Sequence, residues 1–175
     1  KSRIRIVSLG SLIPVKGYER LLKVVERLKR EGEQFELLIL GDGEKRPEYE
    51  AYIKKNNLED CVKLMGYVDN PYPILKSADI YVCSSYAEGF NTAITEALVL
   101  GRAIVSTEVS GVREQLGKYS EYGLITDNSE NGLYEGLKQM MESKCLEYYQ
   151  EQAEKRGQWF SLDIQMQKIY ELIES

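Results

Sequence analysis

Residues 4–40 read IRIVSLGSLIPVKGYERLLKVVERLKREGEQFELLIL. Two short apolar runs, 4–9 and 35–40, flank a stretch in which Leu21, Leu22, Val24, Val25 and Leu28 recur at helical spacing, with charged residues filling the other face. The pattern predicts a strand, a crossover helix and a second strand. Phe35-Glu36-Leu37-Leu38-Ile39-Leu40 is almost wholly apolar, as a strand must be when helices cover both faces of its sheet.

Working outward, apolar runs at 62–65, 80–84, 103–106 and 123–126 continue the alternation, and Leu133, Leu137, Met140 and Met141 repeat the helical spacing. Alternation of this kind predicts βαβ units with right-handed crossovers, and hence a single α/β domain built on a doubly wound, Rossmann-like parallel sheet. Beyond Met141 the reading is helix alone: 144–157, a break at Trp159-Phe160-Ser161 with Ser161 as N-cap, then 162–173. Residues 1–175 form one domain, long enough to enclose a substantial core, with 144–175 as its helical tail.

Composition narrows the chemistry. There is no histidine, which removes a Ser-His-Asp triad, a His base and any His-ligated metal. Cys61, Cys83 and Cys145 lack metal-ligand spacing; Cys61 and Cys83 sit in apolar runs and read as buried thiols of a reducing compartment. No metal site is expected. A formal net charge of −5 argues against nucleic acid as a partner, although one lysine and one helix N-terminus suffice to hold a small anion. No apolar stretch approaches a membrane span and no secretory leader is visible, so the expected location is cytoplasmic. The chain starts at Lys1 and reads as a segment of a longer protein.

Ligands of open parallel sheets bind beyond the carboxyl ends of the strands, which directs attention to four loops. Gly10-Ser11-Leu12-Ile13-Pro14-Val15-Lys16-Gly17 offers a tight turn and a lysine just ahead of a helix, suited to phosphate or equally to plain solvation. It matches neither the Walker pattern nor Gly-x-Gly-x-x-Gly, which disfavours a nicotinamide-dependent dehydrogenase. Gly41-Asp42-Gly43 reads as a strand-to-helix turn, glycine supplying positive φ and Asp42 a cap. The backbone of Gly66-Tyr67-Val68 could meet a nucleobase edge. The fourth loop, Ser84-Ser85-Tyr86-Ala87-Glu88-Gly89-Phe90-Asn91, runs into a helix that carries Glu96, and the free amides at that helix start make a seat for a diphosphate. Were Glu88 and Glu96 both helical, about 12 Å would separate them along the axis. A hydrolytic carboxyl pair works at about 5–9.5 Å, whereas the longer span suits the two hydroxyl-bearing ends of one elongated ligand. By themselves the two glutamates also read as a cap and an exposed helix residue.

Taken in order, these segments resemble the family 4 (group 1) retaining glycosyltransferases, specifically the C-terminal half of their GT-B fold. The resemblance runs from about residue 4 to 137 and centres on Glu88-Gly89-Phe90 with Glu96-Ala97, supported by Gly41-Asp42-Gly43, Gly66-Tyr67-Val68 and Ser110-Gly111-Val112-Arg113-Glu114. It implies that Glu96 binds ribose hydroxyls, Glu88 the transferred sugar, and Gly89, Phe90, Asn91 and Thr92 the distal phosphate through their amides. Gly10, Ser11 and Lys16 would meet the diphosphate, and Gly66, Tyr67 and Val68 would flank the base. Glu88 and Lys16 would be the catalytic pair. The implied donor is a nucleotide sugar, a UDP sugar first and a GDP sugar as alternative, with no further cofactor. A glycan or lipid-linked acceptor would be bound by an N-terminal domain that this sequence lacks, and the inner membrane face is a compatible location. Ser11 stands where the family has arginine, Asn91 where glycine is frequent and Cys83 where proline is common. The missing arginine charge also fits a non-catalytic binding or scaffold subunit. The final helix, 162–173, resembles the segment that crosses to the N-terminal domain.

Overall fold

The computed structural model describes the backbone of residues 3–174 and the side chains of residues 3–162. In chain order the elements are β1 (Ile4–Leu9), a short 3-10 turn (Pro14–Lys16), α1 (Tyr18–Arg30), β2 (Phe35–Leu40), α2 (Arg46–Lys55), β3 (Val62–Gly66), α3 (Tyr72–Lys76) and β4 (Ile80–Cys83). There follow α4 (Thr92–Val99), β5 (Ala103–Thr107), α5 (Val112–Leu116), β6 (Leu124–Thr126), α6 (Glu130–Met140) and α7 (Ser143–Glu174). All six strands pair in parallel, in the order β3-β2-β1-β4-β5-β6. The expected doubly wound sheet is present, and the winding reverses between β1 and β4.

Period-two alternation builds the core. Ile6, Leu37, Ile39, Ile80, Val82 and Val105 turn to one face, where α1, α2 and α6 cover them. Val7, Leu38, Leu40, Tyr81, Cys83 and Ile104 turn to the other, under α4, α5 and α7. Each central strand is therefore apolar on both sides, and five of the six residues of β2 are buried members of these two clusters, Glu36 being the exception. Cys61 and Cys83 are buried free thiols, as expected.

The tail departs from the expectation. No break occurs at Trp159-Phe160-Ser161: α7 is one helix of 32 residues. No proline interrupts this stretch, and Ser161 lies inside the helix rather than capping one. Gly157 does not end the helix. It is a contact point rather than a stop, because a Cβ there would stand 2.1 Å from the carbonyl oxygen of Leu98 at the end of α4. The close approach of α7 to α4 offsets the roughly 1 kcal/mol that glycine costs inside a helix. The expected crossing segment, 162–173, lies outside the described side chains except for Leu162. Among the described residues no helix is long and apolar enough to cross a membrane.

Substituting Gly157→Val should therefore lower stability by about 1–3 kcal/mol, as overpacked contacts do. Urea unfolding would register it as a lower midpoint, whereas Glu151→Ala on the exposed face of the same helix should leave the midpoint unchanged.

Candidate functional site

Between β1 and β4, where the winding reverses, the loops that follow these strands lie against each other. The fit depends on glycine. Gly17 has φ 70°, and a Cβ there would stand 2.0 Å from the carbonyl oxygen of Ser84. Ser84 Oγ donates to the Lys16 carbonyl at 2.8 Å, and the Tyr86 amide donates to the Val15 carbonyl at 2.8 Å. Lys16 and Glu88 are thereby brought face to face, with Lys16 Nζ 2.9 Å from Glu88 Oε1. Ser85 Oγ donates to the same oxygen at 2.6 Å. The Glu88 side chain is 10% exposed and that of Lys16 25%, so the pair is shielded more than a surface salt bridge.

Helix α4 starts where expected. Asn91 is its N-cap, and Asn91 Oδ1 accepts from the Ile94 amide at 3.2 Å. Among the described residues, the amides of Gly89, Phe90, Asn91, Thr92 and Ala93 find no hydrogen-bond partner. Five free donors at the positive end of a helix, beside a lysine, form a seat for an anion.

A second part of the site is a cleft of about 300 Å³ over the ends of β1, β2 and β3, bordered by Gly10, Ser11, Asp42, Tyr67, Val68 and Pro71. Four residues expected from the sequence (Gly10, Ser11, Tyr67 and Val68) thus line one cleft. Gly66 does not line it; its carbonyl accepts from the Gly41 amide at 2.8 Å and is taken up in holding the β2 and β3 ends together. Gly41 has φ 145°, as its turn requires, and a Cβ there would meet the Gly10 carbonyl at 1.9 Å. The expected cap at Asp42 is not formed. Helix α2 starts only at Arg46 behind Lys45, and Asp42 instead accepts from the Gly43 amide and from Arg46. The longer turn carries Asp42 away from the helix start.

Glu96 stands on α4 while Glu88 stays in the preceding loop, so the two are not on one helix and the axial-rise spacing does not describe them. Nor do they share a partner. Glu96 accepts from the Tyr72 hydroxyl at 3.1 Å, one residue beyond Pro71 at the rim of the cleft. The Glu96 charge, more than the hydrogen bond itself, raises the Tyr72 pKa, so the phenol remains a donor.

Several supporting residues left no mark in the sequence. Arg20, 4% exposed, donates to the carbonyls of Ser84 and Ser85 and to Asn128 Oδ1, with its guanidinium 3.8 Å from the centre of the Tyr86 ring. Burial pulls its pKa below the ordinary guanidinium value, and Tyr86 offsets part of that. Gln115, 1% exposed, donates to the Asn91 carbonyl at 2.7 Å and to Thr95 Oγ1 at 3.0 Å, bracing the α4 start. Buried Tyr18 bonds Ser8 Oγ at 3.1 Å beneath Gly10, and burial raises its pKa well above the ordinary phenol value. These partners are 10 to 108 residues away in sequence, so no local pattern announces them.

Comparison with known proteins adds to this geometry. The family model described as Glycosyl transferases group 1 matches residues 1–158. The N-acetylgalactosamine-N,N'-diacetylbacillosaminyl-diphospho-undecaprenol 4-alpha-N-acetylgalactosaminyltransferase of Campylobacter jejuni is 35% identical over 158 residues, 89% of this chain and 42% of that protein. The chain thus spans less than half the length of this relative. The pneumococcal O-GlcNAc transferase GtfA, solved with UDP and GlcNAc, superposes with a TM-score of 0.84 at 18% identity, covering 99% of this chain and 37% of that one. The C-terminal domain of the glycosyl transferase group 1 family protein LpcC from Francisella tularensis superposes with a TM-score of 0.77 at 19% identity, covering 89% and 84%.

Replacing Arg20 by Met removes the donor to three oxygens in a buried setting and should cost about 2–3 kcal/mol. Arg20→Lys should recover only part of that, since one ammonium cannot reproduce the planar fork. Chemical denaturation of both variants reads the difference; equal stability of Arg20→Met and the parent would contradict the role.

Proposed function

Because the chain belongs to the group 1 glycosyltransferases and has the Rossmann-like fold of the C-terminal half of their GT-B architecture, we propose that it is the donor-binding domain of a retaining enzyme. In this reading a hexosyl unit passes from a nucleotide sugar to a glycan or lipid-linked acceptor, which an N-terminal domain holds. This chain by itself binds donor and transfers little. The observation that carries the reading is the α4 start, where five amides unpartnered among the described residues follow directly on Glu88 and its ion pair with Lys16.

The chemistry follows from that placement. Departure of the sugar leaves negative charge on the diphosphate. A fixed ammonium and oriented amides stabilise such charge without reorganising, so the proposal needs no metal. Glu88 accepts hydroxyl hydrogens of the sugar, Glu96 those of the ribose, and the base enters the cleft beside Tyr67 and Val68. A UDP sugar is the favoured donor, in keeping with the UDP in the pneumococcal neighbour. The lipid-linked acceptor is in keeping with the undecaprenol named for the Campylobacter relative. Such an acceptor would place the protein at the cytoplasmic face of a membrane.

Ser11 supports a second reading, a binding or scaffold subunit without transfer activity, because it leaves the diphosphate one cation fewer. Full-length protein supplied with donor and acceptor separates the two: an enzyme loses turnover with Glu88→Ala, and a scaffold is indifferent.

Calorimetric titration with UDP and GDP should show binding of one of them, weakened about 10- to 100-fold by Lys16→Ala, the loss expected for a charged hydrogen bond. Glu96→Ala should weaken binding of the same nucleotide through the ribose. Binding of neither nucleotide would end the proposal.

A further inference from the structure

Glu88 does more in this site than face a sugar. It is locked to the one lysine proposed to hold the diphosphate, with both hydrogen bonds converging on a single oxygen. Lys16 Nζ lies 2.9 Å and Ser85 Oγ 2.6 Å from Oε1. Among the described residues no hydrogen bond reaches Oε2. Ser85 is 2% exposed, and its carbonyl is held by Arg20 and by Thr107 Oγ1 at 2.7 Å. The carboxylate is therefore anchored from below and does not swing away when Lys16 takes an anion.

Geometry then fixes how near that anion stands to Glu88. An oxygen bonded to the same ammonium at an ordinary hydrogen-bond length lies no farther than about 6 Å from Oε1. Like charges at that range oppose each other appreciably in a partly shielded setting. The opposition depends on how the ligand ends. A nucleotide sugar has both phosphates esterified. A free nucleoside diphosphate ends in a monoester whose second ionisation lies near about pH 6, so at neutral pH it carries one charge more. That charge falls on the terminal phosphate, next to Glu88. In the nucleotide sugar the position is occupied by a neutral group with hydroxyl donors, which the open Oε2 can accept.

We infer that Glu88 is a specificity-determining residue that discriminates by charge between nucleotide sugar and free nucleoside diphosphate, favouring the donor and expelling the product. The inference rests on the donor-binding reading above and adds to it a role that contact with sugar hydroxyls does not require. It predicts an uncommon result: removal of a binding-site carboxylate tightens one ligand and not the other.

The test compares UDP with UDP-glucose, and GDP with GDP-mannose, by calorimetry at pH 7.5 on the parent chain, Lys16→Ala, Glu88→Gln and Glu88→Ala. Glutamine keeps the shape and the Ser85 contact and loses only the charge, and alanine supplies an independent removal. In both Glu88 variants the free diphosphate should bind about three- to tenfold more tightly, after allowance for solvent screening. The nucleotide sugar should bind no more tightly than before. An unchanged ratio between the two ligands, or weaker binding of the free diphosphate, overturns the inference while a Lys16-dependent affinity leaves the site reading standing. Absence of binding by all four ligands, or binding indifferent to Lys16→Ala, overturns the site reading itself.

Discussion

The contact between the β1 and β4 loops governs the rest of the site. Both loops leave the sheet at the point where its winding reverses, and Gly17 lets them touch, since a side chain at that position would overlap the Ser84 carbonyl. Arg20 then closes the joint from beneath by capping the carbonyls of Ser84 and Ser85. A cation, a carboxylate and a helix start end up side by side although they come from separate parts of the chain. Open parallel sheets place ligands at this crevice because only there do neighbouring loops diverge. Here they diverge above a buried guanidinium, which makes the floor rigid and leaves the upper edge to the ligand.

In the proposed reading, an acidic protein must create its attraction for an anion locally, with little formal charge. One lysine serves, and it is already partnered by Glu88. In that reading the larger share falls to oriented backbone amides, which add no net charge and cost no reorganisation. Ser11, which adds no charge where the sequence resemblance would place an arginine, would shift the balance further toward the backbone. A net charge of −5 does not argue against an anion at this place, because a helix start is locally positive whatever the sum over the surface.

The central strands were legible because β2, β4 and β5 are covered on both faces, which survives in the sequence as nearly unbroken apolar runs; the edge strand β3, with Lys63 and Met65 exposed, leaves a weaker trace. The α1 stripe was legible for the corresponding reason, being apolar on one face at helical spacing. The tail was misread at Trp159-Phe160-Ser161 because an aromatic pair followed by serine resembles a boundary, and the nearby Gly157 reads as a stop, whereas it is a contact point with α4 inside a continuous helix. Asp42 was misread as a cap because the turn after β2 is longer than the sequence suggests, with α2 starting only at Arg46. Of the site, Lys16, Glu88 and the α4 start stood out through their place after strands and through resemblance. Arg20, Tyr72 and Gln115 did not, since each acts on partners distant in sequence. A local pattern records what a residue is near along the chain, and these three work across it.

The account comes down to the amides at the start of α4. Proton–nitrogen correlation spectra of the labelled chain, recorded as UDP or GDP is added, observe them individually. The account predicts saturable shifts at Gly89, Phe90, Thr92 and Ala93, and their loss in Lys16→Ala. Unmoved amides there, with shifts confined to distant loops, would contradict it.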